Sequence, residues 1–189
     1  MYHIKDEEFL RGKVPMTKEE VRAVSIAKLE MKDTDICLDI GGGTGSVSIE
    51  MARFAKKGHV YTIEQNEEAV GLIKENSEKF QIRNLTLIHG KAPDGLSVIN
   101  TKFDKIFIGG SGGNLSDIIS YSYNNLNDGG IIVLNFIVLE NTFEAVECIK
   151  KSEFKDLDIS QIIVAKNKKI KDFNMMMSEN PIYIITARK

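Results

Sequence analysis

Cysteine is scarce in this sequence. Cys37 and Cys148 are the only two in 189 residues, and no CxxC or Cys/His pattern surrounds either. That excludes a zinc ribbon or a disulfide framework as the source of stability. The three histidines, His3, His59 and His89, have no ligand spacing and read as structural or exposed, so no metal site is expected. No apolar run approaches the ~20 residues that span a bilayer. The opening, Met1 to Arg11, is charged and has no apolar centre, so no signal peptide is expected and the default compartment is the cytoplasm. An excess of one charge is lacking too. A net charge of −2 leaves no global basic field for non-specific nucleic-acid binding. There is no internal repeat, no low-complexity linker and no Pro-Pro pair. What remains is ordinary globular composition, 42% hydrophobic and 28% charged. The length fits a single domain over 1–189 with enough chain to bury a real core.

Apolar periodicity then orders the chain. A helix is predicted over Thr17 to Met31, with Thr17 and Glu20 as a capping box. Further helices are predicted over Thr44 to Lys57, ended by Gly58, and over Asn66 to Phe80, capped by Asn66. Two more cover Leu115 to Leu126 and Leu139 to Lys151. Strands are predicted at Ile36–Ile40, His59–Glu64, Leu85–His89, Phe103–Ile108 and Ile131–Phe136. Two more, Leu157 to Ala165 and Ile182 to Ala187, follow one another and should form an antiparallel pair at one edge. Strand–helix alternation predicts an α/β, doubly wound, mostly parallel seven-stranded sheet. The run Ile131-Ile132-Val133-Leu134 fits a strand covered on both faces. The connection from about Lys166 to Asn180 is expected to be a long loop, with Met175-Met176-Met177 packed beneath the last strand.

The chemistry concentrates where the first strand meets its helix, at Asp39-Ile40-Gly41-Gly42-Gly43-Thr44-Gly45. Spaced glycines permit positive-φ turns and close ligand approach, and the turn opens a helix N-terminus. Ser46 stands where a dinucleotide fingerprint wants its third glycine. Asp39 would repel a pyrophosphate and suits a ligand that carries an ammonium group. Glu64 ends the second strand about 20 residues on, placed to accept hydrogen bonds from ribose hydroxyls. Gly90-Lys91-Ala92 follows the third strand, where backbone groups can meet an adenine.

Asp39 to Gly45, Glu64 and the strand–helix order resemble the class I S-adenosylmethionine-dependent methyltransferases over nearly the whole chain, final antiparallel pair included. Lys91 departs from the pattern, because many members carry an aspartate there; adenine recognition is left to the Ala92 backbone. The Asn/Asp-Pro-Pro-aromatic motif of exocyclic-amine methylation is absent after the fourth strand, where Gly109-Gly110-Ser111-Gly112-Gly113 stands instead.

A closer resemblance is to the decarboxylating precorrin C-15 methyltransferases of cobalamin biosynthesis. It rests on Asp6-Glu7-Glu8-Phe9, Val14 to Arg22, Asp39 to Val47, Gly109 to Gly113, Leu139 to Ala145 and Met177-Ser178-Glu179-Asn180-Pro181. That family methylates C-15 of a cobalt-precorrin and decarboxylates the ring C acetate at C-12. The resemblance implies S-adenosylmethionine as methyl donor, held by Thr17, Gly41, Gly42, Gly43, Thr44, Gly45, Glu64 and Ala92, beside Asp39. It also implies a tetrapyrrole substrate, a homo-oligomer with a tetramer as the expected form, and a separate enzyme for C-5 methylation. Candidate substrate contacts are Gly110, Ser111, Gly112 and Gly113, which let a flat macrocycle approach the backbone, with Glu140 and Thr142 after the fifth strand. The substrate's acetates and propionates call for a basic pocket; Arg22 and the run Lys166, Lys168, Lys169 and Lys171 are the cations in view. No catalytic residue stands out. An RNA or protein methyltransferase of the same fold is the alternative, and a nicotinamide oxidoreductase or a non-catalytic cofactor-binding module are the remoter ones.

Overall fold

The structure, a computed structural model, describes residues 3–189. Met1 and Tyr2, part of the opening segment read above for a signal peptide, lie outside the described residues. The elements run α1 (Glu19–Leu29), β1 (Ile36–Ile40), α2 (Ser46–Phe54), β2 (His59–Glu64), α3 (Glu67–Lys79), β3 (Leu85–His89) and β4 (Phe103–Ile108). Then come α4 (Leu115–Asn125), β5 (Leu126–Phe136), α5 (Leu139–Lys151), β6 (Lys155–Ile162), β7 (Ala165–Ile170), β8 (Phe173–Ser178) and β9 (Ile182–Arg188). Seven strands form one sheet in the order β3-β2-β1-β4-β5-β9-β6. β1 to β5 pair in parallel, and β9 lies antiparallel between β5 and β6. The doubly wound, mostly parallel sheet with its antiparallel edge pair is therefore the observed fold.

Helices bury both faces, which is why the central strands need no polar side. Leu38, Ile106, Ile132 and Ile185 face α4 and α5. Cys37, Phe107, Val133 and Ile184 face α1 and α2. A third, smaller cluster holds Ile4 and Phe9 against Ile49, with Phe80 alongside.

Asn66 caps α3 as expected, accepting from the Ala69 amide at 3.0 Å. The Thr17 cap does not form. Lys18 is the N-cap of α1 and makes no side-chain cap bond. Two contacts compete: the Thr17 carbonyl accepts from Arg22 Nη1, five residues on in α1, at 2.6 Å, and Glu20 pairs with Lys166, far along the chain, at 3.0 Å. α2 is shorter than its periodicity suggests. It starts after Gly45, whose φ is +80°, and it ends at Phe54, with Ala55 as its cap. β5 begins five residues early because Leu126 pairs with Phe103 and Gly129 and Gly130 bond to Lys189.

The largest correction concerns residues 166–180. They are no long loop: β7 and β8 form a separate two-stranded hairpin, with Lys166 opposite Met177 and Lys168 opposite Met175. Nor are the three methionines packed under the last strand. Met175, Met176 and Met177 are 48, 65 and 47% exposed. Among the described residues, no helix is long and apolar enough to cross a membrane.

Candidate functional site

A crevice of about 900 Å³ opens at the carboxyl ends of the parallel strands. The strand order reverses between β1 and β4, and ligands bind at such a switch point in open α/β sheets. Two glycine-rich loops meet there. A Cβ on Gly41 would stand 2.7 Å from the Gly110 nitrogen, and one on Gly43 would stand 2.8 Å from the Pro15 carbonyl oxygen. Both glycines have positive φ, +79° and +56°. Only glycine satisfies both the backbone angle and the close approach.

Asp39 lies behind this turn and is 1% exposed. Its Oδ2 accepts from the Ser48 hydroxyl, while Oδ1 has no partner among the described residues. Burial pushes its carboxyl up to about 7; the Ser48 bond opposes the shift and the nearby Glu64 charge adds to it. A buried acceptor left without a donor costs ~1–3 kcal/mol unless a ligand meets it. Glu64 lines the crevice from the end of β2. Its Oε2 accepts from the Gly43 amide and its Oε1 from the Asn66 amide, both at 2.9 Å, so it braces the glycine turn from the side.

Several expected residues come together here. Thr17, Asp39, Gly41, Gly42, Gly43, Glu64 and Ala92 all line the crevice, as do Gly110, Ser111 and Gly112. Others stand elsewhere. Thr44 and Gly45 sit behind the lining, and Gly113 lies beyond it. Thr142 turns its hydroxyl back to the Val138 carbonyl at 3.0 Å, and Glu140 is an exposed residue in the first turn of α5. The cations considered for the substrate also stand elsewhere. Arg22 is 0% exposed, committed to Asp6 and to the Ile4 and Thr17 carbonyls. Lys166 pairs with Glu20 and Asp6, and Lys168, Lys169 and Lys171 sit on the exposed hairpin. The lysines that line the crevice are Lys13, Lys18 and Lys91.

Two features escaped the sequence reading. Val14 to Met16 form a wall over the glycine turn. Asn135, near the end of β5, lines the opposite half with Ser178, Glu179 and Asn180. Its Nδ2 donates to Ser25 Oγ at 2.8 Å, and its buried Oδ1 has no partner among the described residues. A lone asparagine inside Ile-Ile-Val-Leu-Asn-Phe was the available signal. Among the described residues, no cluster of three His, Cys, Asp or Glu could hold a metal.

Residues 8–189 match the family model described as a precorrin methyltransferase domain. The chain belongs to the precorrin methyltransferase family. It is 45% identical over 178 residues to a probable cobalt-precorrin-6B C(15)-methyltransferase (decarboxylating) of Saccharolobus solfataricus, covering 93% of this chain and 89% of that one. The crystal structure of precorrin-6y C5,15-methyltransferase from Geobacter metallireducens superposes with a TM-score of 0.94 at 40% identity, over 100% of this chain and 98% of that one. Precorrin 8w decarboxylase from Methanobacterium thermoautotrophicum gives 0.92 at 35% identity, over 97% and 98%. Names at this level of identity favour precorrin chemistry over the RNA or protein alternative.

Proposed function

We propose that this protein methylates C-15 of a cobalt-precorrin with S-adenosylmethionine and decarboxylates the ring C acetate at C-12, whose carboxyl carbon leaves as carbon dioxide and whose methylene takes up a proton and stays on the ring as a methyl group. The observation that carries the cofactor half is the buried, unpartnered Asp39 Oδ1 beneath a turn that only glycine can form. The residues present fit this cofactor. Asp39 suits its ammonium end, the Gly41–Gly43 backbone gives it close approach, Glu64 is placed for the ribose hydroxyls, and Ala92 offers backbone groups to the adenine. Thr17 closes the methionine end, with Thr44 and Gly45 shaping the turn from behind.

When bound, the sulfonium supplies an electrophilic methyl group that needs no metal. The chain's own work is to bind, align and exclude water. The loops after β1, β2 and β3 take the cofactor, which leaves the half beyond β4 for the macrocycle. Gly110, Ser111 and Gly112 let a flat ring approach the backbone there. Lys18, at the start of α1, which packs on β5, offers a cation to its carboxylate arms. A conjugated macrocycle makes C-15 nucleophilic and absorbs the electrons that decarboxylation leaves, so alignment and ring electronics carry the reaction without a dedicated acid–base pair. The unit at work is one domain, located in the cytoplasm. It assembles as a homo-oligomer through the exposed face of the β7–β8 hairpin, and C-5 methylation falls to a separate enzyme.

The test is to incubate the protein with methyl-labelled S-adenosylmethionine and cobalt-precorrin-6B. One labelled methyl group and one carbon dioxide per substrate are expected. Methyl transfer without carbon dioxide would refute the decarboxylating half, and transfer to RNA but not to the tetrapyrrole would refute the substrate.

A further inference from the structure

Residues 3–18 cross the molecule as a strap ahead of α1, and Val14 to Thr17 within it wall the crevice. The strap is not part of either core that flanks the sheet. Its apolar anchors, Ile4, Phe9 and Met16, belong to the small third cluster on Ile49. The other attachments are polar. The Lys13 amide donates to Glu68 Oε1 at 3.0 Å, and Arg22 holds the Thr17 carbonyl.

One side chain joins the strap to the glycine turn itself. Asn76, in the last turns of α3, is 0% exposed. Its Oδ1 accepts from the Leu10 amide at 2.8 Å. Its Nδ2 donates to the Leu10 carbonyl at 3.0 Å and to the Thr44 carbonyl at 2.9 Å. The orientation of the amide is fixed, because one neighbour is a backbone donor and two are carbonyl acceptors. Asparagine is a poor helix former, and burying an amide costs free energy unless it is bonded. α3 could seal this position with leucine. The polar side chain instead bonds to two segments, the strap at Leu10 and the residue that follows Gly43.

We propose that Asn76 is a positioning residue for the cofactor crevice: it ties the strap at Leu10 to the glycine turn at Thr44 and so holds the Val14–Thr17 wall against that turn. This rests on the reading of the crevice as the S-adenosylmethionine site. Docking of the strap and binding of the cofactor are then linked, since a ligand that needs the docked wall binds more weakly by the fraction of molecules in which the wall is docked.

Amide hydrogen exchange of the wild-type protein, with and without S-adenosylhomocysteine, tests the linkage. The Leu10 amide is expected to slow by about tenfold or more when ligand binds. In Asn76→Leu, the dissociation constant of S-adenosylhomocysteine and the KM for S-adenosylmethionine should both rise about tenfold, with kcat at saturation held within about twofold. A variant that melts lower yet binds unchanged while folded would reduce Asn76 to a structural residue and overturn the proposal. Should that variant not fold, the wild-type exchange decides. Ligand that protects Gly43 and leaves Leu10 unchanged overturns the inference alone, whereas no ligand binding at all overturns the cofactor reading and this inference with it.

Discussion

Asp39 is the residue whose ionisation the site controls most closely. Its carboxyl stands at about 7 in the folded chain, against 3.8 for an ordinary aspartate. The native state therefore holds this proton more tightly than the unfolded chain does. Its contribution to stability falls as pH rises from about 4 to about 7 and is constant beyond. Ligand binding runs the other way. An ammonium group favours the ionised carboxylate, so the affinity for S-adenosylhomocysteine should rise with pH up to about 7 and then level off. Calorimetry between pH 5.5 and 8, values chosen to bracket about 7, checks this. Asp39→Asn should flatten the profile; an equally steep profile in that variant would remove Asp39 from the ammonium site. Glu64 makes a second prediction. Glu64→Ala should weaken S-adenosylhomocysteine by ~1.5–3 kcal/mol, the range for hydrogen bonds to a charged group. An unchanged dissociation constant would show that Glu64 only braces Gly43. Arg22 belongs to stability rather than to substrate. Arg22→Ala leaves Glu50 and Asp6 without their buried partner and should cost ~3–5 kcal/mol in urea unfolding, with S-adenosylhomocysteine still bound by the folded fraction.

At the scale of elements, the β7–β8 hairpin presents Met175, Met176 and Met177 to solvent beside Phe173. An exposed cluster of large apolar side chains marks an interaction surface, and Met175→Glu with Met177→Glu should lower the mass in sedimentation without changing the far-UV spectrum. A wild-type protein that sediments as a monomer would contradict the assembly. This hairpin is also where the sequence was least legible. Lysines and asparagines do not favour strands, and only the pairing of Ala165–Ile170 with Phe173–Ser178 makes them one. The strands β1 to β4 were legible because their apolar runs end at turns, and Asn66 because a cap acts locally. Thr17 failed as a cap because Glu20, the other half of its box, pairs with Lys166 far along the chain. The partners of Asn76 and Asn135 were unreadable for the same reason: Leu10 and Ser25 are 66 and 110 residues away.

At the scale of the whole molecule, the sheet order decides how the crevice is divided. β1, β2 and β3 place Gly41–Gly43, Glu64 and Ala92 on one side of the switch point, and β5 and β9 place Asn135 and the Ser178–Asn180 segment on the other. Under the proposed function, that division lets one crevice serve a cofactor and a macrocycle at once. It depends on strands that meet only through long crossovers, so no local motif could carry it. The glycine turn announces a ligand, and the strap, the second glycine loop and the edge strands shape the crevice around it. A crystal structure of the protein grown with S-adenosylhomocysteine tests this account most directly. It should show both ribose hydroxyls within about 3 Å of the Glu64 carboxylate and the ammonium end at the Gly41–Gly43 turn beneath Thr17. Ligand lying in the Asn135 half, or a Glu64 that touches only Gly43 and Asn66, would contradict it.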